Sequence, residues 1–136
     1  MVASLRLLLV EDDDSDAFLT KRAFADMKGT NLMHVPGGQA ALDALRTSRF
    51  DLMLLDLNMP GLSGHEVLHT LRTGSGQVLV PIIVFSSSNH PGDVDRAYEA
   101  GANAYLRKPD SLGGYQQVAD AVCRFWRDHA HFPGRH

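Results

Sequence analysis

The chain reads as an α/β protein built on one doubly wound parallel sheet. Short apolar runs of strand length alternate with stretches of helical period, a β-α order repeated five times along 136 residues. The runs are continuously apolar, as strands buried on both faces are. Helices between such strands must cross over and cover both faces of the sheet.

Each element has its own signal. "RLLLVE" (residues 6–11) is a buried strand bounded by acids. From Ser15 to Met27, the residues Phe18, Leu19, Ala23 and Met27 recur at helical spacing, and Gly29 is expected to stop that helix. "NLMHV" (31–35) is a second strand, and "GQAALDALRTS" (38–48) a helix with Ala41, Leu42 and Leu45 inward. "DLMLLDL" (51–57) is the third strand, followed by the turn cluster "NMPGLSG". Ser63 to Thr73 forms a helix with Val67, Leu68 and Leu71 on one side. "VPIIVFS" (80–86) is the fourth strand, and Pro91 suits the first turn of a helix running to Ala100, which Gly101 ends. "AYLRK" (104–108) is a short fifth strand, and the last helix is expected to begin near Gly114. "MVAS" and "FPGRH" read as frayed ends, with the core spanning about 5–126 of a single domain, 1–136.

Composition narrows the function. A net charge of −3 supplies no basic field for nucleic acid or anionic membrane. No apolar stretch approaches the roughly 20 residues of a membrane span, and no signal-peptide pattern opens the chain. Cys123 stands alone, so no disulfide framework exists and a reducing cytoplasm is expected. With no second domain in the chain, output is expected through contact with another molecule. The acid is local: five of the six residues from Glu11 to Asp16 are acidic. Open parallel sheets place their sites at the carboxyl ends of strands. Those ends hold Glu11 and Asp12, Asp56, Ser86 and Lys108. Carboxylates this close repel, and a divalent cation offsets the repulsion; Mg²⁺ takes carboxylates, waters and phosphate oxygens. Lys108 adds a point charge for phosphate, Ser86 a hydroxyl donor, and an aspartate can attack phosphorus. Asp13 and Asp14 fall where the first helix begins and can cap it, with Ser15 an alternative cap. Asp16 in the first turn suits the positive end of the helix dipole.

The motifs "LLLVEDD", "DLMLLDLNMPGLSG", "IIVFSS" and "AYLRKP", in this order and spacing, resemble the response-regulator receiver domain of two-component signalling. The resemblance runs from about Leu5 to Trp126. It implies a flavodoxin-like sheet of order 2-1-3-4-5. It implies Asp56 as phosphoacceptor, with Mg²⁺ held by Asp12, Asp56 and the backbone carbonyl of Asn58, and by Glu11 through water. Ser86 matches the switch hydroxyl and Tyr105 the switch aromatic, which can rotate inward. Lys108 matches the site lysine, and Lys108-Pro109 a step that is often cis. Asn58 and Ser88 match positions that set phosphate lifetime. The implied chemistry is self-phosphotransfer and autodephosphorylation, without turnover of an external substrate. The implied partners are a sensor histidine kinase and a histidine phosphotransfer protein. The aromatic helix end "CRFWRDHAHFP" resembles that of single-domain regulators paired with bacterial phytochromes. On that reading Phe125, Trp126 and Phe132 form an interface of a homodimer, with covering of the core as the simpler role for Phe125 and Trp126.

Two other classes compete. One is a receiver-fold scaffold that works without phosphorylation; retention of all five site positions argues against it. The other is a zinc hydrolase, because "HEVLH" (His65 to His69) matches H-E-x-x-H with Glu66 as base. At 100° per residue, however, Gly64, Val67, Leu68 and Leu71 share the inward face and His65, Glu66 and His69 lie outside it. "GSG" (Gly74 to Gly76) lacks the Lys-Ser/Thr of a phosphate cradle and reads as a loop.

Overall fold

The computed structural model describes residues 4–73 and 79–133, so the "GSG" segment lies outside the described residues. Five parallel strands lie in the order β2-β1-β3-β4-β5: β1 Leu5–Val10, β2 Thr30–Val35, β3 Leu52–Leu55, β4 Ile82–Ser86 and β5 Ala104–Arg107. The helices are α1 Asp14–Ala25, α2 Gly38–Thr47, α3 Gly64–Thr73, α4 Pro91–Glu99 and α5 Leu112–Asp128. This is the flavodoxin-like arrangement.

Period-two alternation divides the core into two layers. Leu8, Val10, Met53, Leu55, Ile82 and Val84 pack against α2, α3 and α4 through Ala41, Ala44, Val67, Leu68, Leu71 and Ala97. Leu5, Leu7, Leu9, Leu52, Leu54, Ile83 and Phe85 pack against α1 and α5 through Ala17, Phe24, Tyr115, Ala119 and Cys123. Leu42 and Leu45 of α2 are only partly buried, while Ala41 and Ala44 carry its innermost contacts. Small residues there let the helix lie close to the sheet.

Several expectations shift. The first helix begins one residue early, because Asp13 rather than Ser15 caps it: its Oδ1 accepts from the Asp16 N–H at 2.9 Å. Its buried face is Ala17, Thr20, Ala23 and Phe24, and Phe18 is 60% exposed. Thr20 can enter the core because its hydroxyl donates to the Asp16 carbonyl at 2.8 Å. The helix ends at Ala25, and Gly29 (φ 74°) turns the chain four residues later. The last helix begins at Leu112, since Ser111 caps it by accepting from Gly114 N–H at 3.1 Å. Gly114 sits in its first turn because a Cβ there would lie 2.5 Å from Pro109 Cβ. No peptide bond among the described residues is cis, so Lys108-Pro109 is trans, unlike the cis step that the resemblance implies.

The carboxyl-terminal stretch, expected to fray, is anchored at Phe132; residues 134–136 lie outside the described residues. Phe132 is buried, with its ring 5.8 Å from Trp126, and packs in the α1–α5 layer. Burying a ring of that size contributes about 1.5–3 kcal/mol against the entropy of ordering the stretch. Replacing Asp13 with alanine should lower stability by about 1 kcal/mol. Urea unfolding monitored by circular dichroism checks this; an unchanged midpoint would assign the cap elsewhere.

Candidate functional site

Strand pairing continues one step past the sheet and fixes where the polar residues emerge. Glu11 N–H donates to the Val35 carbonyl and Asp56 N–H to the Val10 carbonyl, each at 3.1 Å, and Lys108 N–H to the Ser86 carbonyl at 2.8 Å. Glu11, Asp56, Ser86 and Lys108 therefore leave neighbouring strands at one edge. The backbone after Asp56 is held against α3: a Cβ on Gly64 would meet the Asp56 carbonyl oxygen at 2.4 Å. Glycine is required there for close approach.

Glu11, Asp12 and Asp56 each present a carboxylate oxygen, all within 4.8 Å of one another. Glu11 and Asp56 are buried and Asp12 is exposed. Two unscreened carboxylates at such a distance repel by roughly 3 kcal/mol at an effective dielectric near 20. This donor set fits a hard divalent cation such as Mg²⁺, which prefers carboxylate oxygen and keeps several waters.

Lys108 supplies the positive charge. Its side chain is 5% exposed, with Nζ 2.5 Å from Glu11 Oε1, 2.8 Å from Asp16 Oδ2 and 3.6 Å from Asp56 Oδ1. Burial works against the ammonium, but the hydrogen bonds to Asp16 and Glu11 and the Asp56 charge outweigh it and hold its pKa above the usual lysine range. Burial pushes the Glu11 carboxyl up to about 7, helped by Asp56 and opposed by Lys108. Burial likewise raises Asp56, against the pull of Lys108 and of hydrogen bonds from Glu11 and the Asn58 backbone.

Ser86 is fully buried, and its Oγ accepts from Ser88 N–H at 3.4 Å. Tyr105 packs partly buried on the α2–α4 layer, and its hydroxyl donates to the Ser88 carbonyl at 2.8 Å. Ser88 Oγ in turn donates to Asp93 Oδ2 at 2.6 Å. Asn58 is exposed at the rim. Phe125 is 55% exposed near the far end of α5, Trp126 is partly buried beside it, and Phe132 is buried. A continuous surface of all three rings does not exist on this chain.

Sequence reasoning missed the role of Asp16 as a partner of Lys108. The available signal was its place in the first turn of a helix that starts at the acidic sheet edge. It also missed Asp93. The "HEVLH" stretch forms no metal centre. Glu66 makes a capping box, accepting from Ser63 N–H at 3.1 Å while Ser63 Oγ accepts from Glu66 N–H at 3.3 Å. Among the described residues, the one His/Cys/Asp/Glu trio with metal-compatible spacing is Glu11, Asp12 and Asp56. No helix of the described residues is long and apolar enough to cross a membrane.

Five parallel strands with an acidic, lysine-bearing carboxyl edge define a doubly wound α/β domain with a charged site at its strand ends. Residues 7–117 match the family of the response regulator receiver domain, and the chain belongs to that family. It is 33% identical over 135 residues to the probable methanogenesis regulatory protein FilR2 of Methanothrix harundinacea, covering 94% of this chain and 87% of that one. It spans 53% of a longer relative, the cell cycle transcriptional regulator CtrA of Caulobacter vibrioides, at 34% identity over 126 residues, or 93% of this chain. Among solved structures, the phosphorylated cyanobacterial phytochrome response regulator RcpA superposes with a TM-score of 0.89 at 31% identity, covering 97% of this chain and all of that one. The Mn²⁺-bound form of response regulator Rcp1 gives 0.85 at 28% identity, covering 96% and 99%. Receiver domains are phosphoacceptor modules of two-component systems, phosphorylated by sensor histidine kinases.

The raised Glu11 pKa has a pH consequence. Between about 4.5 and about 7 the folded carboxyl binds more protons than the unfolded one, so stability falls as pH rises through that window. In metal-free buffer with chelator, the melting temperature should be lower at pH 7 than at pH 5. Glu11→Gln should flatten this slope; an equal slope in the variant would assign the titration to another group.

Proposed function

We propose that this protein is a response regulator that accepts a phosphoryl group from a sensor histidine kinase onto Asp56 in a Mg²⁺-dependent reaction. The observation that carries the reading is the joint placement of the Asp56 carboxylate and the buried Lys108 ammonium, 3.6 Å apart, beside the Glu11 and Asp12 carboxylates. The Asp56 oxygen attacks phosphorus in line, and the bond to the phosphohistidine nitrogen breaks with its electron pair going to the imidazole. Asp12, Asp56, the Asn58 backbone carbonyl and, through water, Glu11 would hold a divalent cation, which would supply charge neutralisation at the phosphoryl oxygens. Lys108 donates to one of those oxygens as a point charge. Ser86 donates its hydroxyl to another, and Tyr105 follows the loop that carries Ser88. Asn58 and Ser88 flank the acceptor and influence how long the phosphate survives. The phosphorylated form then switches a protein contact or passes the group to a histidine phosphotransfer protein.

Asp56→Asn should abolish base-labile labelling by a cognate kinase. Full labelling of that variant would remove Asp56 from the role, and partner binding unaffected by the substitution would favour a phosphorylation-independent scaffold.

A finer reading places the chain downstream of a bacterial phytochrome as a homodimer. Its support is the similarity to RcpA over nearly the whole chain and the exposed Phe125, whose ring meets Trp126 edge-to-face at 5.2 Å. Exposed aromatic pairs concentrate binding energy. Phe132 supports this surface from beneath rather than forming part of it. Light scattering across a concentration series should show a dimer that Phe125→Ala weakens by about tenfold or more in dissociation constant. A monomer at every concentration, with and without a phosphate mimic, would overturn this reading.

A further inference from the structure

Asp16 lies outside the trio of metal-compatible carboxylates, yet it holds the lysine of the site. Its Oδ2 accepts from Lys108 Nζ at 2.8 Å, whereas Asp56 Oδ1 is 3.6 Å away, beyond a normal hydrogen bond. Asp16 is placed by the first turn of α1, where its backbone N–H is tied to the Asp13 cap at 2.9 Å. Its charge reaches the Tyr115 hydroxyl on α5, which burial first and then that charge push up to about 12. Tyr115 is buried on α5, its ring edge-to-face with Phe85 at 5.7 Å. Asp16 is thus a preplaced anchor, set by the capped first turn of α1.

We propose that Asp16 is a positioning residue that anchors Lys108 while Asp56 is unmodified, and that this anchor is released when a phosphoryl group arrives on Asp56. The inference rests on the phosphoacceptor reading of Asp56. The ammonium has three donors. Two are directed at Glu11 and Asp16, so full engagement of a phosphoryl oxygen on Asp56 competes with one of them. Glu11 belongs to the carboxylate trio suited to a cation, so a bound cation draws on Glu11 and leaves Asp16 as the lysine's main partner. Asp16 therefore stabilises the unmodified form over the modified one. It also links the state of Asp56 to the start of α1, a side of the sheet that the Ser86–Tyr105 pair does not touch.

The test is titration of beryllofluoride, a phosphoryl mimic, in the presence of Mg²⁺, followed by ¹⁹F resonance of the bound species. Asp16→Asn keeps the shape but weakens the anchor, and should tighten mimic binding about fivefold, the difference between a charged and a neutral partner in one hydrogen bond. Asp14→Asn removes an exposed acid from the same turn and controls for net charge; it should stay within about twofold of the unaltered protein. Unchanged or weaker binding by Asp16→Asn overturns the proposal, as does equal tightening in both variants. If Asp16→Asn does not fold, judged by circular dichroism, Asp16→Ser carries the same expectation. An unaltered protein that binds no beryllofluoride with Mg²⁺ instead refutes the reading of Asp56 itself. Binding by the unaltered protein with no response in the variants refutes the anchor alone.

Discussion

The buried ammonium of Lys108 is the charge on which the acidic edge of the sheet depends. Glu11, Asp16 and Asp56 surround it at 2.5, 2.8 and 3.6 Å. Without it, two buried carboxylates would face each other in a medium that screens poorly. With it, the cluster still carries surplus negative charge, which is why burial and mutual repulsion lift Glu11 towards neutrality. A fold that holds such a cluster gives up stability to keep three carboxylates and an ammonium together at one edge.

The scaffold keeps this cost local. Two apolar layers alternate along each strand, so the backbone that carries the site residues belongs to the most rigid part of the molecule. The site residues sit one step past the last apolar pair, still within the hydrogen-bond ladder. Asp13 marks the boundary between the two uses of acid. Glu11 Oε2 accepts its N–H at 3.3 Å, while its own carboxylate caps α1. The same run of charge serves the site on one side and the helix on the other.

The sheet and its carboxyl-end residues were legible because continuous apolar runs and punctuating Gly and Pro residues are local signals. The helix facings were less so. Phe18 is exposed because Thr20 satisfies its hydroxyl within the helix and takes an inward place that composition alone would not assign it. Phe132 is buried because the segment after α5 turns back onto Trp126, a contact that no periodicity encodes. Asp16 was legible as a helix-dipole residue, yet its pairing with Lys108 joins positions 92 apart in sequence and is fixed only when α1 and β5 reach the same edge.

Two sets of contacts leave the site in different directions. One runs from Ser86 through the Ser88 loop to Tyr105 and Asp93, on the side of α4 and β5. The other runs from Lys108 to Asp16 and the Asp13 cap, at the start of α1. The first is a loop held by single hydrogen bonds, so it can change partners at small cost. The second ends on a capped helix turn, whose backbone has less freedom to move. A change at Asp56 would therefore move the α4–β5 face by rearrangement, while the α1 side responds through the strength of one ion pair.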